Sequence, residues 1–386
     1  MKRRRIGVIY GGRSGEHEVS LASAAAVIAN LDPARYETVA IRIEKDGRWT
    51  LPDRPPTATS AGEVIAHARL ESSRTLRAGR EALLVPHPCE ETLLTLDRTR
   101  PGEEGTENAR VTGLGLDAAF PVLHGPYGED GTVQGLLELA DIPYVGAGVL
   151  ASAVGMDKAV MKALFAARGL PNVDHLVVFD HQWRSNRAAV ASEVATRLGY
   201  PIFVKPANLG SSVGITKVKR PGDLEAAVEA AAQFDRKVIV ESAVPDAREI
   251  ECSVIGNDHP EASVPGEIKP SREFYDYDAK YLDESPVEIP APLSKAETDR
   301  VRRLAIEAFQ AIDAAGMARV DFLLSGTTGR LYLNEINTIP GFTTISMFAK
   351  LWAASGLEYA ALLDRLVELA FERHAQKHHR RSTTDG

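Results

Sequence analysis

The segment Arg-Val-Asp-Phe-Leu-Leu at 319–324, a Gly-bounded turn, and Leu-Tyr-Leu-Asn-Glu-Ile-Asn at 331–337 constrain the fold more than any other stretch. Both arms are rich in strand formers and residues 326–329 supply the turn, so a β-hairpin is expected. Residues two apart share a face of a strand, which pairs Arg319 with Asp321 and Glu335 with Asn337. Folding about 327–328 sets Asp321 opposite position 334 or 335. If the register puts both pairs on one face, two carboxylates, an amide oxygen and a guanidinium converge. Three hard oxygen donors suit Mg²⁺. The alternative is a surface hairpin whose charges are simply solvated.

A chain of 386 residues suggests two or three domains. With 44% hydrophobic and 25% charged residues it reads as a soluble globular protein. The net charge of −8 argues against a general nucleic-acid binder. No apolar run approaches a membrane span, and the basic start at 2–5 is no signal peptide. Cys89 and Cys252 make neither a disulfide framework nor a zinc spacing, so a cytoplasmic setting is expected.

Residues 1–145 alternate strand and helix, the pattern of an open parallel α/β layer, apart from loop-like stretches at 51–62 and 97–109. From Met156 the style changes to a helix, then strands at 176–179, 202–205, 213–218, 238–241 and 249–255. An amphipathic helix over about 295–313, the hairpin and a helix over about 357–373 complete the α+β portion. The tail from 374 is polar; His374, His378 and His379 could bind metal, but a frayed terminus is the preferred reading.

Five further stretches carry candidate chemistry. In Val-Lys-Pro-Ala-Asn-Leu-Gly-Ser-Ser-Val-Gly at 204–214 a strand delivers Lys205 to a loop containing Gly210 and Ser211. Such loops let backbone N–H groups approach phosphate; the Lys precedes the glycines and no helix follows, so this is no Walker loop. Lys-Val-Ile-Val-Glu at 237–241 ends an apolar strand in Glu241, which could accept from a purine amine, although a strand-terminal Glu is usually solvated. Gly-Gly-Arg-Ser-Gly-Glu at 11–16 follows the first strand and opens a helix, where Glu16 could equally complement the helix dipole. His-Gly-Pro-Tyr-Gly-Glu-Asp-Gly at 124–131 is a shaped loop whose His124 is either a polar contact or structural. Residues 273–281 mix aromatic and charged side chains without periodicity, which suits either a mobile cover or an ordinary polar loop.

These pieces, in this order, resemble the D-alanine–D-alanine ligases of the ATP-grasp superfamily. The resemblance runs from Gly7 to about Met347, and Met-Asp-Lys at 156–158, Tyr-Asp-Tyr-x-x-Lys-Tyr at 275–281 and Asn-Glu-x-Asn-Thr-x-Pro-Gly at 334–341 belong to it. It implies an N-terminal α/β domain (1–145), two ATP-grasp subdomains (146–246 and 247–375) sandwiching ATP, and a polar tail (376–386). It implies ATP as co-substrate, two Mg²⁺ ions for which Mn²⁺ can substitute, D-alanine as substrate, and a homodimer. By motif position, Lys158, Lys205 and Lys280 would hold phosphates, with Gly210, Ser211 and Asn334 at the nucleotide. Glu241 and Val244 would read adenine and Glu249 the ribose. Asp321, Glu335 and Asn337 would bind the metals. Glu16 would hold the first ammonium, linked through Ser211 to Tyr281, with His124 nearby. Arg319 and the Gly341 N–H would stabilise the oxyanion, and Ser346 would meet the second carboxylate.

Residues 51–110 exceed the shortest relatives and carry no motif, and Thr343 and Thr344 depart from the family's local pattern before Ser346. A ligase using D-lactate or D-serine as acceptor and a nucleotide-binding protein without turnover are the rival readings. Tyr281 argues for the dipeptide, and the presence of Arg319, Asp321, Glu335 and Asn337 argues for turnover.

Overall fold

The structure, a computed structural model, describes residues 2–57, 80–98, 109–210, 213–269, 286–343 and 346–381. Ser211, Thr344, Lys280 and Tyr281, with the 273–281 stretch, lie outside the described residues.

The first unit is a seven-stranded sheet in the order β6-β5-β4-β3-β2-β1-β7. It comprises β1 (Arg4–Gly11), β2 (Tyr36–Ile43), β3 (Trp49–Leu51), β4 (Arg80–Leu84), β5 (Leu93–Arg98), β6 (Ala109–Leu114) and β7 (Ala118–Val122). Only β2, β1 and β7 run parallel. The strands from β3 to β6 extend the sheet antiparallel, so the expected parallel layer is mixed, and the stretch that carries no motif builds its outer half. The connections at 44–48 and 85–92 are short enough for hairpin pairing of β2 with β3 and β4 with β5, whereas β1 must cross over through the helix His17–Asn30 to reach β2. Strand alternation divides β1 between two cores. Ile6, Val8 and Tyr10 pack on one face and Ile9 on the other. At the end of β1, Gly11 adopts φ 92, and a Cβ there would meet the Ile43 carbonyl oxygen at 2.3 Å. Only glycine makes that turn.

The second sheet, β10-β9-β11-β8, is antiparallel, from β8 (His175–Phe179), β9 (Ile202–Pro206), β10 (Thr216–Val218) and β11 (Lys237–Ser242). Val204, Val238 and Val240 face the core under the helix Leu224–Ala232, which leaves Lys205, Ile239 and Glu241 on the opposite face.

The third sheet comprises β12 (Ala247–Gly256), β13 (Glu261–Ala262), β14 (Gly266–Ile268), β15 (Val287–Glu288), β16 (Gly316–Ser325) and β17 (Leu331–Asn337). The helix Lys295–Ala311 covers its apolar face, through Val301, Leu304, Ala305 and Phe309 against Ile250, Val320 and Phe322. A capping box between Ser294 and Glu297 starts that helix. The helix Lys158–Ala167 and the segment after it bridge the two antiparallel sheets, with the Leu333 N–H donating to the Pro171 carbonyl at 2.7 Å.

The chain then returns to its beginning. Leu362, Leu363, Leu366 and Val367 of the helix Tyr359–Arg381 join the core formed by Ile6, Val8, Phe120 and Phe342. The expected helix end near 373 is corrected: the helix runs on to Arg381, because Arg373, His374 and Lys377 bond to residues 138–146. Among the described residues no helix is long and apolar enough to cross a membrane.

Candidate active site

The hairpin forms as its alternation requires. Arg319 pairs with Asn337 and Asp321 with Glu335, and the register shifts after Asp321 so that Phe322 faces Leu333. Asn334 is therefore the extra residue of a β-bulge. The bulge decides between the two possible registers and puts all four polar side chains on one face, while Val320, Phe322 and Ile336 are buried on the other.

A residue that the motifs did not single out joins them. Glu251 on β12 lies opposite Asp321, with Oε2 3.0 Å from Arg319 Nε. Arg319 donates from Nε and Nη2 to the two Asp321 oxygens, each at 2.7 Å. Burial works against the guanidinium charge, but Asp321 and Glu251 outweigh it and hold the Arg319 pKa well above its ordinary value. Asn337 Nδ2 donates to Asp321 Oδ2 at 3.0 Å, tying the hairpin arms together. The two carboxylates and the amide oxygen are hard donors on neighbouring strands, and this set fits Mg²⁺.

Lys158 stands beside this face. Its Nζ donates to the Leu209 carbonyl at 2.8 Å and lies 3.6 Å from Glu335 Oε2. Asp157 caps its helix by accepting from the Ala159 and Val160 N–H groups, and Asp157 also pairs with Lys237 on β11. One helical turn beyond Lys158, Lys162 is fully buried, with Nζ 2.9 Å from Glu241 Oε1. Lys205 pairs with the other Glu241 oxygen. Glu241, expected at adenine, is thus flanked by two buried lysines. Burial alone would raise its pKa, but the lysines reverse that and hold it at about 2. The lysines differ: burial lowers Lys162 despite Glu241, whereas at Lys205 the pull of Glu241, Glu335 and Glu249 overcomes burial and raises it. Lys205 therefore keeps its charge. Val244, partly buried, lies between β11 and β12, and Glu249 sits on β12 opposite Leu323.

The loops of the first unit close the other side. Glu129 Oε1 accepts from the Gly125 N–H at 2.8 Å, and a Cβ on Gly125 would lie 3.1 Å from Glu16 Oε2. A Cβ on Gly210 would touch Glu16 Oε2 at 3.4 Å and Glu129 Oε1 at 3.7 Å. Two carboxylates thus converge beside Gly210 in the lysine-bearing loop. Burial and the neighbouring Glu16 push the Glu129 carboxyl up to about 8. His124 is buried and its pKa lowered by that burial; Nδ1 lies 3.1 Å from the Ile339 carbonyl and Nε2 3.4 Å from Ser23 Oγ. It joins the end of β7 to the loop carrying Gly341. A Cβ on Gly341 would lie 2.9 Å from Ser346 Oγ, and Ser346 Oγ lies 2.7 Å from Thr343 Oγ1.

The structure brings together Glu16, His124, Lys158, Lys205, Gly210, Glu241, Arg319, Asp321, Glu335, Asn337, Gly341 and Ser346 from all three sheets and the loops joining them. Lys162, Glu129 and Glu251 were missed. Each had a signal: Lys162 is four residues from Lys158 on one helix, Glu129 lies within the 124–131 motif, and Glu251 is two residues from Glu249 on a strand.

Known proteins resemble this chain over almost its whole length. Residues 5–147 match the family model described as D-ala D-ala ligase N-terminus, and residues 164–368 match D-ala D-ala ligase C-terminus. A D-alanine–D-alanine ligase from Thermoanaerobacter sp. (strain X514) is 49% identical over 98% of this chain and 99% of that protein. The solved D-alanine-D-alanine ligase from Coxiella burnetii is 36% identical, with a TM-score of 0.78 over 97% of both chains. The VanG D-Ala:D-Ser ligase from Enterococcus faecalis is 33% identical, with a TM-score of 0.79 over 96% of this chain and 100% of that one. With hairpin, lysine pair and paired carboxylates all placed in one site, the chain belongs to the D-alanine–D-alanine ligase family, whose fold is the ATP-grasp.

Proposed function

We propose that this protein joins two D-alanines into D-alanyl-D-alanine for peptidoglycan precursor synthesis, converting ATP to ADP and phosphate. The observation that carries this reading is the single polar face of Glu251, Arg319, Asp321, Glu335 and Asn337 with Lys158 beside it. A carboxylate is a poor electrophile. Phosphoryl transfer from ATP makes it an acyl phosphate, which a second amine can attack. Two Mg²⁺ ions held by Asp321, Glu335 and Asn337, or Mn²⁺ in their place, would neutralise phosphate charge.

The remaining roles belong to the chain's own residues. Lys158 and Lys205 donate to phosphate oxygens; Lys205 is poised for this because Glu241 and Glu335 keep it charged. Glu241 holds the two lysines in place as well as meeting the adenine edge with Val244; Glu249 takes the ribose. Arg319, fixed by Asp321 and Glu251, and the Gly341 N–H face the oxyanion of the tetrahedral intermediate. Glu16 receives the first ammonium, and Glu129 is its second carboxylate. An ammonium between the two relieves their repulsion. Ser346 and Thr343 meet the second carboxylate. Ser211, Lys280 and Tyr281 complete the assignment by motif position. The domain limits at 145, 246 and 375, a cytoplasmic setting and a homodimer belong to the same reading.

ADP release measured against D-alanine, L-alanine, D-serine and D-lactate tests it. Turnover that needs Mg²⁺ and D-alanine, with dipeptide as product, is expected; turnover indifferent to D-alanine would sink it. D-serine accepted as second substrate in preference to D-alanine would move the chain toward the D-Ala:D-Ser relative. Glu335→Gln should lower kcat at least about 100-fold at saturating Mg²⁺ while Tm changes little, because a charge at the phosphates is lost and no core contact is. Near-normal kcat in that variant would remove Glu335 from the metal set.

A further inference from the structure

The extended C-terminal helix creates a second cluster that the ligation chemistry does not use. His374 and His378 lie four residues apart on one face of that helix, as metal-binding histidine pairs do. Their rings are tilted by 53°, and the two Nε2 atoms converge to 3.2 Å. Asp141, in the turn after the helix Thr132–Leu139, aims its carboxylate at the same point. Its Oδ1 is 3.4 Å from His374 Nε2, and its Oδ2 is 3.0 Å from His378 Nε2. The Asp141 carbonyl oxygen is 3.0 Å from His374 Nε2 as well. Asp141 holds a left-handed backbone, φ 56, so the turn that presents this carboxylate is itself constrained.

We propose that Asp141, His374 and His378 bind a divalent transition-metal ion, which ties the last turns of the C-terminal helix to the first unit. Metal–nitrogen and metal–oxygen bonds of about 2.0–2.1 Å around a tetrahedron give ligand-to-ligand edges of about 3.3–3.4 Å. With Asp141 Oδ1 as the carboxylate donor, the three donors stand at 3.2, 3.4 and 3.1 Å from one another, within a few tenths of that spacing. A neutral imidazole offers one lone pair, and a cation at the centre satisfies both imidazoles and the carboxylate together. Two imidazoles and one carboxylate select an ion such as Zn²⁺ over Mg²⁺ or Ca²⁺. All three side chains are partly exposed, and Asp141 and His374 border a cleft of about 560 Å³, so an ion can enter and keep a water as fourth ligand. None of the described residues assigned to ligation borders that cleft. The neighbouring contacts already grip the helix: Arg373 donates to the Tyr144 carbonyl at 3.1 Å, and Lys377 pairs with Glu138. The ion would act on stability, not on turnover.

The test uses the full-length chain, stripped of metal and held in saturating Mg²⁺ to occupy the hard oxygen sites. Calorimetric titration with Zn²⁺ should show one equivalent bound, and His374→Ala and His378→Ala should each weaken it at least about tenfold. Zn²⁺ should raise Tm of the parent chain and not of the variants. ADP formation without Zn²⁺ should match the parent in both, which shows them folded. If His374→Ala fails that control, His378→Gln and Asp141→Asn carry the comparison. Equal Zn²⁺ affinity in parent and variants, or no uptake by the parent, overturns the proposal and leaves a hydrogen-bonded cluster.

Discussion

Two carboxylates at the site, Glu241 buried and Glu129 partly buried, shift in opposite directions. Glu241 sits between Lys162 and Lys205 and stays ionised down to about pH 2. Glu129 sits near Glu16 and holds its proton up to about pH 8. For Glu129 the folded pKa lies above the ordinary 4.5. The unfolded chain therefore releases a proton that the folded one keeps, and stability falls as pH rises from 4.5 to 8. Glu129→Gln mimics the protonated acid, so its Tm should match the parent below pH 4.5 and exceed it above pH 8. A Tm difference that stays constant across that range would mean that Glu129 is ionised in the folded protein. Glu241→Gln leaves two buried ammonium groups without their carboxylate and should cost about 3–5 kcal/mol in urea unfolding. Lys162→Met keeps the Glu241–Lys205 pair and should cost far less. Equal losses would contradict the three-charge arrangement.

At the scale of elements, the polar face depends on strand register. The bulge after Asp321 absorbs Asn334 and keeps Glu335 opposite Asp321. Without it the alternation would drive Glu335 toward the core. The helix Lys295–Ala311 holds that sheet from behind, and its start rests on Ser294, whose Oγ accepts from the Glu297 N–H, with Glu297 returning to the Ser294 N–H at 2.8 Å. Ser294→Ala should lower unfolding free energy by about 0.5–2 kcal/mol. KM for ATP should be unchanged, since the helix packs on the apolar face of the sheet, opposite the polar side chains of the site. A change in KM without a change in stability would show that the helix does more than cover the core.

At the scale of the whole molecule, the last helix belongs to the first sheet. Its leucines complete the core around Ile6, Val8 and Phe120, and Arg35 of the first unit pairs with Asp364 and Glu368. A chain lacking residues 359–386 would expose that core. It should lose cooperative thermal unfolding and bind a hydrophobic dye such as ANS, the behaviour of an unpacked core. Retention of a sharp transition at the parent Tm would show the first unit stable without its closing helix.

The strand-helix alternation that opens the chain, the polar hairpin and the family were legible in the sequence, because they rest on local alternation and on residues within single motifs. Arg319, Asp321, Glu335 and Asn337 share a face by the two-residue period alone. The antiparallel β3–β6 extension was not legible, since a short strand's partner is set by which edge it reaches. Nor was the company of Glu241: Lys162 and Lys205 stand 79 and 36 positions away and meet it only where a helix crosses the second sheet. The same holds for Glu16 with Glu129, and for Asp141 with His374 and His378. A charged side chain's chemistry depends on its burial and on the sign of its neighbours, and both are set only when distant segments pack.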